Sequence, residues 1–224
     1  IKPKTIKRIS GMTKTFNWFC DDNWRFKNYS RFYAPCFSFV ATTYPLFVEK
    51  YRKLGIKNVI ATQWAANSLV YKPRKGKDYG VTFVGQAHSD RKATVDWLRE
   101  QGIEVECWGA GWPNGRASHK QMIEIFSNSR INLNLAESST LGWKFWVKAF
   151  FFRRLNGTYD FQKRISFKKS GAQIKARNFE VPACGGFLLA QYVPGLRNYY
   201  RPREEMDFFS NREELLEKIN YYLE

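Results

Sequence analysis

The chain has 224 residues and a formal net charge of +17, from 37 Lys and Arg against 20 Asp and Glu, and 17% of its residues are aromatic. So many large rings exclude a disordered tail and require a packed core, in a chain long enough for one large domain or two small ones. No apolar run approaches the roughly 18 residues of a membrane span, and neither an anchor nor a signal peptide is expected.

In chain order the pattern alternates strand and helix. Lys14 to Cys20 reads as a strand ending at Asp21 and Asp22, and Trp24 to Tyr33 as helical. Pro35 to Ala41 is a short apolar strand. Tyr44 to Leu54 is an amphipathic helix stopped by Gly55, and Asn58 to Thr62 is a strand. The polar run 72–78, with Pro and Gly, is the best linker candidate. A second series follows: strand Gly80–Val84, helix Ser89–Gln101, strand Ile103–Trp108 with the loop GAGWPNG, helix Ser118–Asn128 and strand Ile131–Leu135. Beyond a basic insertion, Ile174–Ala183 reads as helix, Gly186–Leu189 as a buried strand and Arg212–Leu223 as the closing helix. Strands separated by helices predict an α/β fold with a parallel, doubly wound sheet. Ligands in such sheets sit beyond the carboxyl ends of the strands, which directs attention to the residues just after each one.

The four cysteines, Cys20, Cys36, Cys107 and Cys184, stand far apart without a CxxC, and His88 and His119 are the only histidines. Neither a metal site nor a disulfide framework is expected, and reduced thiols in a cytosolic protein are. The charge is local. Residues 143–177 carry ten Lys and Arg against the single acid Asp160, and residues 1–14 carry five basic residues and no acid. From Glu204 to Glu224 the chain is acidic. Basic patches imply a polyanionic partner: nucleic acid, anionic lipid or the phosphates of a small ligand.

The segment Gly171–Leu189, GAQIKARNFEVPACGGFLL, concentrates chemistry. Arg177 and Glu180 are three apart and share a helix face. Glu180 can offer a carboxylate to ribose hydroxyls, and Lys175 or Arg177 can neutralise a diphosphate leaving group. Gly185 and its neighbour Gly186 let the backbone approach closely. A surface ion pair followed by a helix-ending glycine accounts for the same residues without function. Asp21 and Asp22 are helix caps or, alternatively, place Asp22 at a cleft as a catalytic carboxylate. His88, in a loop after a strand, is the other catalytic candidate, able to hydrogen-bond a sugar or phosphate, or a plain loop histidine. His119 reads as surface, and Gly109-Ala110-Gly111 is too short to argue a dinucleotide site.

The runs VTFVGQAHSDR, WGAGW, INLNL, KARNFEVPACGGFLL and EEMDFFSNREELLEKINYYL occur in this order. Together they resemble the C-terminal, donor-binding domain of GT-B glycosyltransferases, nearest the CgeB-like (spore-maturation) branch of the retaining "group 1" class. FNWFCDDNWRFKNYS resembles the last third of that group's N-terminal domain. The resemblance implies two Rossmann-like units facing across a cleft, the N-terminal one incomplete. Residues 1–75 would form the partial, acceptor-side unit, and 76–224 the nucleotide-sugar donor domain with an aromatic and basic insertion at about 143–169. Glu180 matches the second carboxylate of the E-x7-E signature, which contacts the ribose, while Ala172 stands where the first should be. Gly85 matches the glycine near the donor phosphates. Gln86 replaces a common Arg, Arg91 lies near the usual basic residue, and Lys175 and Arg177 are further phosphate ligands.

The implied activity is transfer of a sugar from a nucleotide-diphosphate donor, metal-independent, with no cofactor beyond that co-substrate. The acceptor would be a carbohydrate, glycan or glycolipid. The implied location is cytoplasmic; the rings and cations of the insertion suit packing on the donor domain, an anionic membrane surface, or stacking on bases with phosphate pairing. The alternative, a basic α/β nucleic-acid-binding module without catalysis, rests on net charge alone and is disfavoured.

Overall fold

The structure, a computed structural model, describes residues 1–87, 89–136 and 173–224. His88 and the insertion at 143–169 therefore lie outside the described residues. The chain divides into two compact units, with the boundary in this part of the chain between Gln63 and Trp64, so the run 72–78 belongs with the second unit.

In the first unit, helix α1 (Pro3–Ser10) precedes strand β1 (Phe16–Phe19). The helical stretch expected next starts at Asp22 and is irregular: α2 (Asp22–Arg25), a π-helical turn at Phe26–Ser30, α3 (Arg31–Tyr33) and a 3-10 turn at Ala34–Cys36. That last turn takes Pro35 and Cys36 out of the expected strand, and β2 runs Phe39–Thr42. Helix α4 (Pro45–Lys53) and β3 (Val59–Ala61) follow. The three strands are parallel, in the order β1-β2-β3. Phe19, Val40 and Val59 form the core of this unit with Ala34 and Tyr51.

The second unit holds a five-stranded parallel sheet in the order β5-β4-β6-β7-β8. Its strands are β4 (Tyr79–Val84), β5 (Val105–Trp108), β6 (Ser129–Asn134), β7 (Leu188–Gln191) and β8 (Asp207–Phe209). Its helices are α5 (Ser89–Glu100), α6 (His119–Asn128), α7 (Arg177–Ala183) and α8 (Arg212–Leu223). Helix α7 starts at Arg177 rather than at the expected Ile174. Strand alternation builds both faces of the sheet. Val81, Phe83, Ile131, Leu133 and Leu189 pack with Val95 and Leu98 of α5 and with Leu215 and Ile219 of α8. On the other face Leu188, Ala190 and Phe208 pack with Ile123 and Phe126 of α6 and Val181 of α7. No described helix is long and apolar enough to cross a membrane.

The strand order sets the site. From β4 the chain crosses by α5 to β5 on one side, then returns by α6 to β6 on the other. The direction of winding reverses between the carboxyl ends of β4 and β6, and a crevice opens at such a switch point.

Candidate functional site

Arg91, in the first turn of α5, bridges that switch point. Its Nε donates to the carbonyl oxygen of Leu135, one residue beyond β6, at 2.9 Å, and its guanidinium stands 5.7 Å from the Phe83 ring centroid of β4. Burial and then the charge of Arg177 push the Arg91 guanidinium below its ordinary range. The two arginines thus lie within electrostatic reach of each other, although 86 positions separate them in the sequence. Both remain cationic at neutral pH, as guanidinium groups do in proteins. Beside Arg91 a concavity of about 220 Å³ is lined by Leu135, Gln191, Phe209, Asn211 and Arg212, where β6, β7 and β8 end and α8 begins.

Helix α7 supplies the carboxylate. Glu180 Oε2 lies 3.9 Å from Arg177 Nε, the i,i+3 relation read from the sequence, and its side chain keeps 16% exposure. Glu180 Oε1 accepts a hydrogen bond from the Tyr71 hydroxyl at 2.8 Å. Arg177 stacks 4.9 Å from the Phe126 ring centroid and its Nη1 reaches Met122 Sδ at 3.4 Å. Burial lowers the Arg177 pKa, while Glu180 and Tyr71 oppose that shift. Lys175, just before the helix, donates its backbone N–H to Asn178 Oδ1 at 3.0 Å, and its ammonium is held by Gln173 Oε1.

The other residues singled out by sequence have distinct places. Gly85 ends β4 against β5, its N–H donating to the Trp108 carbonyl at 2.8 Å, and its own carbonyl accepts from Trp112 Nε1 at 2.9 Å. A Cβ at Gly109 would lie 2.1 Å from the Gly85 carbonyl oxygen, so the glycine pair of the β5–α6 loop serves close packing on this turn. Gln86 is exposed beside it. Gly185 terminates α7 with φ +73°; its N–H donates to Pro182 O and that of Gly186 to Val181 O, a Schellman motif at the end of the helix remote from Arg177. Asp22 is fully buried in the first unit. It accepts from Thr42 Oγ1 at 2.7 Å and from the Tyr51 hydroxyl at 2.8 Å, so it has no surface to offer a substrate.

Three side chains escaped sequence reasoning. Tyr71 sits at the edge of the polar run 72–78, where nothing local marks it. Asn134 is 6% exposed on β6 and Asn178 fully buried on α7, and the Nδ2 of each is buried without a hydrogen-bond partner. Asn134 carried a signal: in a strand buried on both faces, a polar residue at an interior position is a departure that calls for a ligand or a partner. Unmet buried donors cost about 1–3 kcal/mol each and are conspicuous near a crevice. Among the described residues, no group of three or more His, Cys, Asp or Glu is placed to hold a metal ion.

Two units built on parallel α/β sheets, the second with a crevice at its switch point, are of the Rossmann-like class. The chain belongs to the Glycosyl transferase-like family, whose model matches residues 91–224. Among solved structures it is similar to Anabaena Alr3699/HepE in complex with UDP and glucose, with 9% sequence identity and a TM-score of 0.63. That likeness covers 100% of this chain and 67% of that one, and at such identity it speaks for the fold. No curated protein matches.

Proposed function

We propose that this chain transfers a sugar from a nucleotide-diphosphate donor to a hydroxyl of a carbohydrate, glycan or glycolipid acceptor. Glu180 accepts hydrogen bonds from the donor ribose, and Arg91 and Arg177, with Lys175, face the diphosphate. The bond from the anomeric carbon to the diphosphate oxygen breaks, and its electron pair leaves with the nucleoside diphosphate. The acceptor oxygen forms the new bond, and its proton passes to the departing diphosphate, which has gained the negative charge. Negative charge grows on the leaving group, so fixed guanidinium groups lower the barrier more than they tighten ground-state binding. The observation that carries this reading is Arg91 of α5, whose Nε is bonded to the Leu135 carbonyl beyond β6 at the switch point, with the charge of half-buried Arg177 of α7 acting on it. Glu180 offsets one of the two charges, and the positive charge that remains favours an anion.

UDP is the first donor nucleotide to test, because the similar Anabaena protein is described with UDP and glucose. The finer assignment follows the motif resemblance: the CgeB-like branch, retention of anomeric configuration, metal-independent chemistry, a cytoplasmic location with a peripheral membrane option, and an acceptor side formed by residues 1–75. Calorimetric titration of UDP against a short oligonucleotide tests the reading. UDP is expected to bind and the oligonucleotide not to compete. Glu180→Gln is expected to weaken UDP binding about 10- to 150-fold, the value of one charge-assisted hydrogen bond. Unchanged affinity would remove Glu180 from the site.

A further inference from the structure

We propose that Tyr71 and His119 are positioning residues that fix the Glu180 carboxylate for the donor ribose, through a hydrogen-bond relay running from His119 to Tyr71 to Glu180. The inference rests on the reading that Glu180 binds the nucleotide.

The geometry gives the relay a direction. The Tyr71 hydroxyl has one proton, and Glu180 Oε1 takes it at 2.8 Å. His119 Nε2 stands 3.2 Å from the same hydroxyl oxygen, which has only acceptor capacity left. His119 must therefore donate, which requires a proton on Nε2. The two rings meet edge to face, 5.3 Å between centroids at 86°, so ring packing holds the donor in line. Burial and Glu180 push the Tyr71 hydroxyl up to about 12, so it stays protonated at neutral pH.

Each member stands on a different element. His119 opens α6, whose start is fixed by Ser118 Oγ accepting from the Gln121 N–H at 3.2 Å. Tyr71 comes from the segment before β4, and Glu180 from α7. A glutamate has three rotatable bonds, and holding it still before the ligand arrives removes an ordering cost from binding. One oxygen accepts from Tyr71 and the other is only 3.9 Å from Arg177, so lone pairs remain for ribose hydroxyls.

Ribose contacts are made in ground and transition states alike. The expected signature is a rise in donor KM and in the UDP Kd, with kcat little changed. Tyr71→Phe is expected to weaken UDP binding about threefold to tenfold, the cost of ordering one flexible side chain when the ligand arrives. His119→Leu should weaken it about twofold, and His119→Gln, which retains an N–H donor, should restore it. A double-mutant cycle separates positioning from simple structural support. In a Glu180→Ala background, adding Tyr71→Phe should change the UDP Kd no further. If Tyr71→Phe weakens binding equally with and without Glu180, the effect is structural and the relay is overturned. If Glu180→Gln weakens UDP binding and Tyr71→Phe does not, the relay fails while the nucleotide reading stands. If Glu180→Gln has no effect, both fall.

Discussion

Two carboxylates, one in each unit, take a hydrogen bond from a tyrosine hydroxyl and end with opposite properties. Asp22 in the first unit is fully buried, with Thr42 and Tyr51 as donors and a further bond from the Ser30 side chain. No cation is among these partners, and burial raises its pKa above the ordinary 3.8. Glu180 in the second unit has a tyrosine donor, an arginine at the edge of ion-pair range and a route to solvent. Hydroxyl donors without a counter-charge make a carboxylate part of the core. A single donor with a cation alongside leaves it oriented and available. The shared residue types do not distinguish the two sites; burial and the arginine do.

The largest expected effect breaks the comparison on stability. Asp22→Ala leaves the Thr42 and Tyr51 hydroxyls buried without an acceptor and should cost about 2–4 kcal/mol by urea denaturation. Glu180→Ala, with a partly exposed side chain, should cost about 1 kcal/mol or less in the same measurement while weakening UDP binding. Next come the tyrosines. Tyr51→Phe removes a donor to a buried acid and is expected to cost about 1–2 kcal/mol, against about 0.5 kcal/mol for Tyr71→Phe.

The third expectation concerns pH. The folded state holds the Asp22 proton more tightly than the unfolded state does. Stability should therefore fall as pH rises from 3.8 through the raised folded value, because the unfolded chain releases its proton first. Denaturation curves across that window, compared with Asp22→Asn, should show a slope in the parent that the variant lacks. The smallest effect is a third carboxylate as control. Asp96 pairs with Lys92 at 2.6 Å with both side chains largely exposed, and Asp96→Asn should shift stability by no more than about 0.5 kcal/mol. A larger loss would mean that exposure is a poor guide to what a carboxylate does here.

Much of the second unit was legible because its signals are local. Alternation at Ile131, Leu133 and the residues between them set β6, Ser118 marked the start of α6, and the spacing of Arg177 and Glu180 placed them on one face. These patterns act over two to four residues, which strand and helix periods fix directly. Where local signals were weak, boundaries moved. Helix α1 and the three-residue strand β8 were not read at all. The π-helical turn at Phe26–Ser30 has no sequence marker; it lies in the segment that wraps the buried Asp22, with Ser30 bonded to that acid.

What the sequence determined alone is the α/β alternation, the order of the motifs and the identity of the Arg–Glu helix. It singled out Glu180 by its spacing from Arg177 and by the motif resemblance, and offered Asp22 as either a helix cap or a catalytic carboxylate. Only tertiary structure decided that Asp22 is sealed and Glu180 reachable. Only tertiary structure brought Tyr71 to Glu180 across 109 positions and Arg91 within the field of Arg177. The physical reason is range. Backbone periodicity is set by neighbours along the chain, whereas burial and hydrogen-bond partners are set by whichever elements the core packs together, and no local spacing encodes that choice.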